Sequence, residues 1–195
     1  MEMQDKVVVI TGGSGGIGKA MAKAFLAEGA TSIVLVDLNE AAVKAAAAEI
    51  GCIGEVCDVT NEAQIIDLVD RTLASQGRID VFCSNAGAGG SGVLTDAPND
   101  VWQAQWDLHV MSHIYAARAV LPSMIERGDG YLLNTASAAG LLAAMGSGPY
   151  TVTKAAAVKF AEFLAITHGD DGIRVSVLCP QGVNTAMAPR SLGDG

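Results

Sequence analysis

Short runs of apolar, largely β-branched residues alternate along the chain with longer stretches whose apolar positions recur every three to four residues. The short runs occupy residues 6–10, 32–36, 53–57, 81–84, 131–135 and 174–178. They are too short for helices, and most are apolar nearly throughout, the pattern of a strand buried on both faces. The longer stretches, 16–28, 40–49, 62–76, 101–126 and 150–168, read as helices. Strict strand–helix alternation predicts an α/β fold of βα units, with a parallel sheet covered on both sides. No repeat, linker or charge block interrupts the pattern, so residues 1–195 are expected to form one domain. The alanine-rich stretch Ala41 to Ala48 fits an outer helix, because alanine is the best helix former and Lys44 and Glu49 keep it solvated.

Composition narrows the function classes. Half of the 195 residues are hydrophobic and 17% are charged, enough for a substantial core. No uninterrupted apolar run approaches the roughly 18 residues that a spanning helix requires. The start, Met1-Glu2-Met3-Gln4-Asp5, lacks the basic flank of a secretory signal, so a cytoplasmic protein without membrane attachment is expected. The net charge of −9, without any Lys/Arg cluster, argues against nucleic acid as a partner. Cys52, Cys57, Cys83 and Cys179 form no CxxC pair, and most sit in or beside apolar runs, where a thiol behaves as a small hydrophobe.

Two constellations carry chemistry. The first is the turn Thr11-Gly12-Gly13-Ser14-Gly15-Gly16-Ile17-Gly18, between a predicted strand and a predicted helix. Its glycines allow a tight turn and close backbone approach to a pyrophosphate at a helix N-terminus. Asp37 follows Gly18 by nineteen residues and closes the second strand, where a carboxylate can accept both adenosine ribose hydroxyls. The same carboxylate repels a 2′-phosphate, and Ser14, Gly15 and Leu38 supply no compensating cation, so NAD is favoured over NADP. The alternative for Asp37 is a turn residue or a cap for the helix starting near Asn39-Glu40. A second glycine cluster, Gly87 to Gly92, follows the fourth strand, where an open α/β sheet places its ligand crevice.

The second constellation is Ser137, Tyr150 and Lys154. Tyr150 and Lys154 are four apart on a predicted helix and share a face. Free tyrosine has a pKa near 10, so a tyrosine working as a base needs its anion stabilised. An ammonium about 4 Å away contributes about 4 kcal/mol at an effective dielectric near 20. Ser137, just past the fifth strand, can hydrogen-bond a reacting oxygen. No GxSxG elbow surrounds it, so it reads as a positioning group and not a nucleophile. His109 and His113 have helical metal-ligand spacing, but HExxH's glutamate and a third ligand are missing, so no metal site is expected.

Together these motifs resemble the short-chain dehydrogenase/reductase family over nearly the whole chain. Thr11, Gly12, Gly16, Ile17 and Gly18 fit its TGxxxGxG turn, Asp58-Val59 its adenine-contacting pair, and Asn85-Ala86-Gly87 its NAG motif. Ser137, Tyr150 and Lys154 fit its catalytic serine and YxxxK. Pro180, Gly182, Val183 and Thr185 fall in the segment that holds the nicotinamide carboxamide. The resemblance implies a Rossmann-like, doubly wound sheet of order 3-2-1-4-5-6 and NAD-dependent hydride transfer with a secondary alcohol or ketone. It also implies Tyr150 as general acid/base, Lys154 on the nicotinamide ribose, and homo-oligomers formed through helices 101–126 and 150–168.

Three departures bear on that expectation. His109 stands where the family has an asparagine that kinks the helix and holds a relay water; an imidazole can hold that water or titrate near neutral pH itself. Gln181 stands where glycine normally follows Pro180. The chain also ends at Gly195, short of the helix and seventh strand that family members carry, so a truncated member with residues 175–178 at an apolar sheet edge is expected. The alternative function is a nucleotide-binding or interaction protein whose turnover was lost with that C-terminal part. Steroid, sugar, polyol and acyl-thioester substrates all stay open.

Overall fold

The computed structural model of the chain describes residues 1–90 and 92–185. Its strands are β1 (Val7–Thr11), β2 (Ser32–Asp37), β3 (Ile53–Val56), β4 (Val81–Ser84), β5 (Gly130–Thr135) and β6 (Ile173–Leu178). They form one parallel sheet in the order β3-β2-β1-β4-β5-β6. The helices are α1 (Gly16–Ala27), α2 (Glu40–Ile50), α3 (Glu62–Gln76), α4 (Asn99–Trp106), α5 (Ser112–Arg127) and α6 (Gly148–His168). This is the doubly wound, Rossmann-like architecture expected, with element ends within two residues of the sequence pattern.

Continuous apolar runs become central strands because helices cover both sheet faces. Val8 and Ile10 of β1 pack with Ala22 of α1 and with Val43 and Ala46 of α2. Val9, between them, points the other way and joins Leu68 of α3, Val120 of α5, and Phe82 of β4. In register, Val9 lies between Val34 and Phe82. Phe82 is 1% exposed, so Phe82→Ala would remove about 3–5 kcal/mol of core packing. Asn39 and Asn61 start α2 and α3 by accepting backbone N–H groups of their first turns.

One element departs from the sequence pattern. The stretch 101–126 is not a single helix: α4 and α5 are joined by a π turn, Asp107–Met111, in which His109 and Val110 are both buried. The extra residue per turn rotates the apolar stripe, which an i, i+3, i+4 reading of side-chain type cannot detect.

Strand order reverses between β1 and β4, and the crevice beyond their C-terminal ends is the topological switch point where α/β sheets take ligands. At the opposite edge, β6 pairs only with β5 among the described residues. Its Val175, Ser176 and Val177 are half-buried and Leu178 is exposed. The tail from Met187 to Gly195, expected to open a substrate-covering loop, lies outside the described residues, as does Ser91 of the second glycine cluster. Among the described residues no helix is long and apolar enough to cross a membrane.

Candidate active site

β1 delivers the chain into the glycine turn. Gly12 has φ +63°, and a Cβ there would stand 2.9 Å from the Cα of Ala86. Only glycine lets the turns after β1 and β4 touch in this conformation. Gly18 serves packing instead: a Cβ would lie 2.4 Å from the Gly12 carbonyl oxygen. The helix can therefore start hard against the turn. Gly15, its N-cap, makes no side-chain hydrogen bond, and the first turn of α1 holds no acidic residue. That end of the helix thus keeps uncapped N–H groups and the positive end of its dipole, the donor set that suits a pyrophosphate.

Asp37, at the end of β2, closes the far side of the turn. Its Oδ2 accepts from the Ser14 N–H at 3.2 Å and the Ser14 hydroxyl at 2.6 Å, and its Oδ1 accepts from the Asn39 N–H at 3.3 Å. The capping role weighed for Asp37 belongs to Asn39, whose Oδ1 accepts from Ala42 N–H at 3.0 Å. Leu38 beside it is 68% exposed.

The two constellations are joined by a hydrogen-bonded relay across the sheet ends. The Thr11 hydroxyl donates to the Cys83 carbonyl at 3.2 Å and accepts from the N–H groups of Asn85 and Ala86 at 2.9 and 3.0 Å. Asn85 Nδ2 donates to the Thr11 carbonyl at 2.9 Å, and its Oδ1 accepts from the Thr135 hydroxyl at 3.1 Å. The Thr135 carbonyl in turn accepts from Lys154 Nζ at 3.0 Å. Thr135 was not singled out by the sequence, because a backbone acceptor carries no residue-type signal.

Lys154 is 3% exposed, and its Nζ stands 5.7 Å from the centroid of the Tyr150 ring. Burial pulls the Lys154 ammonium down to about 8 from its ordinary 10.5. Ser137 caps a short 3₁₀ turn, Ala138–Gly140, with its Oγ accepting from Ala139 N–H at 3.2 Å. A hydroxyl used as an acceptor keeps its own hydrogen to donate.

His109 is fully buried against this group, its ring edge-on to Tyr150 with centroids 5.4 Å apart. Nε2 accepts from the Ala88 N–H at 3.2 Å, which leaves the proton on Nδ1, 3.1 Å from the Thr153 hydroxyl. Both nitrogens are therefore engaged with protein groups. The expectation that His109 titrates near neutral pH is corrected: burial, then the Lys154 charge and His113, pull it down to about 3, so it is a neutral imidazole. Thr153 escaped the sequence reading because its residue type is unremarkable on a helix.

A cleft of about 430 Å³ collects most of the predicted residues. Gly12, Ser14, Gly16, Ile17, Gly18 and Asp37 line one end, and Ser137, Tyr150 and Lys154 the other, with Asn85 and Gly87 between. Pro180, Gly182, Val183 and Thr185 form the remaining wall, together with Gln181. Leu38, Ala86 and His109 flank the cleft without lining it. Asp58 and Val59 stand apart: Asp58 Oδ1 accepts from the Thr60 N–H and hydroxyl, and Val59 packs in the core.

A sequence profile for short chain dehydrogenase matches residues 6–193. The chain belongs to the short-chain dehydrogenase family. It is an oxidoreductase acting on CH–OH groups by that membership. It is 34% identical to 3beta-hydroxysteroid dehydrogenase 2 of Eggerthella lenta, over 92% of this chain and 72% of that protein. It is 33% identical to meso-2,3-butanediol dehydrogenase of Serratia marcescens, over 96% and 75% respectively. Among solved structures, it superposes on a short-chain dehydrogenase/reductase of Burkholderia phymatum in complex with NAD with a TM-score of 0.91, 31% identity, and coverage of 96% of this chain and 69% of that one. NAD+-bound xylitol dehydrogenase gives a TM-score of 0.87, 32% identity, and coverage of 93% and 72%. Short-chain dehydrogenase membership thus rests on nearly the whole described chain, glycine turn and YxxxK segment included.

Proposed function

We propose that the chain transfers hydride between NAD and a secondary alcohol or its ketone, with Tyr150 as general acid/base. The observation that carries this reading is that Ser137, Tyr150 and Lys154 line the same cleft as the uncapped glycine turn and Asp37. The residues fit the cofactor. The turn offers backbone N–H groups to a pyrophosphate, Asp37 offers a carboxylate to the adenosine ribose, and exposed Leu38 offers an apolar surface beside it. The NAD-bound relatives support NAD, and the Asp37 carboxylate favours it over NADP by repelling a 2′-phosphate.

When bound, the nicotinamide supplies or takes the hydride. The Tyr150 hydroxyl gives its proton to the carbonyl oxygen in reduction, or takes the alcohol proton in oxidation. The Lys154 ammonium lies on the same helix face, its Nζ 5.7 Å from the centroid of the Tyr150 ring, where its positive charge favours a phenolate. At pH 7 Lys154 remains mostly charged, which that role requires. Ser137 donates its free hydrogen to the reacting oxygen and fixes the carbonyl geometry. Neutral His109 buttresses the Tyr150 ring and is a positioning residue.

Self-association fits the same reading. Val152, Phe163 and Ile166 form one exposed apolar stripe along α6 and Ile125 is exposed on α5, so pairing is assigned to these helices.

The test is a fluorescence titration of the chain with NADH and NADPH, followed by a secondary-alcohol screen with Tyr150→Phe as control. Saturable preference for NADH and turnover abolished in Tyr150→Phe support the proposal. Cofactor binding without turnover would favour a nucleotide-binding protein, and no binding to either cofactor would overturn the site assignment.

A further inference from the structure

Three segments far apart in the chain meet at His109, and the hydrogen bonds that join them all point one way. The loop after β4 lines the cleft with Gly87, Ala88 and Gly89. Among the described residues, the hydrogen bond that holds these three is the one from the Ala88 N–H to His109 Nε2. A Cβ on Gly87 would stand 3.4 Å from both His109 Nε2 and Lys154 Nζ, so this wall of the cleft rests directly on the imidazole. His109 reaches that place from the π turn Asp107–Met111, and such turns recur at functional sites.

The other end of the ring meets α6. Thr153 is fully buried, and its Oγ1 lies 3.1 Å from His109 Nδ1. Its own hydrogen is committed, because the hydroxyl donates to the Pro149 carbonyl at 2.9 Å, with the Tyr150 carbonyl as second acceptor at 3.2 Å. Thr153 Oγ1 can therefore only accept from Nδ1–H, and the Ala88 N–H can only donate, so each end of the ring admits one role. Turning the ring over would put carbons against both partners. The donors thus run in series from Ala88 through the imidazole and the Thr153 hydroxyl to the carbonyls of Pro149 and Tyr150.

A threonine that bonds back to the carbonyl four residues earlier does little for its own helix and tends to bend it. A hydroxyl that only needed satisfying would require no partner outside α6, whereas Thr153 takes one from the π turn. The first turn of α6 lacks a capping side chain, since Ser147 makes no such hydrogen bond to it. Tyr150 stands in that turn, its ring edge-on to His109.

We propose that Thr153 is a positioning residue for the reaction: through His109 it forms a one-way hydrogen-bonded strut that fixes the Tyr150 turn of α6 against the Gly87–Gly89 wall of the cleft. The proposal rests on the oxidoreductase reading above and adds the group that holds its acid/base in place. Threonine or serine suits the position because a hydroxyl accepts and donates at once.

The experiment uses the whole chain with Thr153→Val, which keeps the branched shape and deletes the hydroxyl, and with Thr153→Ser, which keeps the hydroxyl. Oxidation of cyclohexanol by NAD is the turnover assay. The expected result for Thr153→Val is a fall in kcat of about tenfold with KM for NAD within about twofold, and for Thr153→Ser a kcat within about threefold of the parent. In a His109→Leu background Thr153→Val should cost nothing more, because the strut is already cut. Parent kcat in Thr153→Val, a loss that serine does not recover, or two losses that multiply would each overturn the proposal. The chain has three histidines, so the ring N–H of His109 can be followed by heteronuclear NMR without cofactor or substrate. That N–H should exchange slowly in the parent and in Thr153→Ser and rapidly in Thr153→Val, where the amide resonances of Gly87 and Ala88 and the ring resonances of Tyr150 should move together. A Thr153→Val protein in which these resonances stay in place has no strut, whatever its activity. Resonances that move as expected, in a chain that oxidises no secondary alcohol, would keep the strut and sink the oxidoreductase reading alone.

Discussion

Lys154→Met should stabilise the protein at neutral pH while removing turnover. The buried ammonium has a pKa of about 8 in the fold against an ordinary 10.5. Below pH 8 both folded and unfolded forms carry the charge, and the fold bears the whole desolvation penalty, about 3 kcal/mol for that shift. Between pH 8 and 10.5 the unfolded chain binds more protons than the folded one, so the penalty shrinks as pH rises. Methionine fills similar volume without charge, but it leaves the Thr135 carbonyl without its partner, a loss of about 1 kcal/mol. The net gain is therefore about 2 kcal/mol at pH 7, falling close to zero near pH 9.5.

The assay is urea unfolding of both proteins at pH 7 and 9.5, read as the difference between them. The difference matters because Cys52, Cys57 and Cys83 also act in this range. Burial raises all three thiols, Cys57 to about 11, so the folded state of either protein weakens as the unfolded thiols ionise above about 9. That contribution is common to both and cancels. A Lys154→Met protein less stable than its parent at pH 7, or an advantage unchanged at pH 9.5, would refute the argument that burial of an unpaired charge dominates at this position.

The buried histidines make the opposite end of the pH scale informative. His113, 1% exposed, is pulled by burial to about 3, as is His109, so the unfolded chain binds more protons below about 6.5 and stability falls on acidification. Each should remove about 2 kcal/mol by pH 5, and His113→Phe should give a measurably shallower decline in chemical denaturation. Gly18→Ala forces a Cβ to 2.4 Å from the Gly12 carbonyl oxygen, so about 1–3 kcal/mol of stability and at least about tenfold in NADH affinity should be lost; wild-type titration curves would sink the close-packing argument. His109→Asn can still accept from Ala88 and donate to Thr153, and turnover should stay within about tenfold, or about 1.4 kcal/mol in barrier, whereas His109→Leu should fall further; equal rates for both would show that the two hydrogen bonds position nothing.

What the sequence could and could not disclose divides along a physical line. Burial on two faces writes itself into residue type, so the six strands stood out as apolar runs, and the glycine turn, Asp37 and YxxxK stood out because their chemistry needs particular residues at particular spacings. The π turn at Asp107–Met111 left no such mark, because one wider turn changes which face a residue occupies and not what the residue is. The same limit governs His109. Its identity and its place on the long predicted helix were legible, but its charge state is a property of what folds around it: the burial that disfavours a charge, the Lys154 ammonium that opposes a second one, the Ala88 N–H that fixes the tautomer, and the Thr153 hydroxyl that accepts from Nδ1. Those partners come from the loop after β4 and from α6, far apart in the chain. Burial and the Lys154 charge thus keep His109 neutral beside Tyr150. A variant that removes the lysine charge should accordingly let His109 rise toward its ordinary 6.5, which the imidazole proton resonances of Lys154→Met, followed by NMR from pH 3 to 7, would show directly.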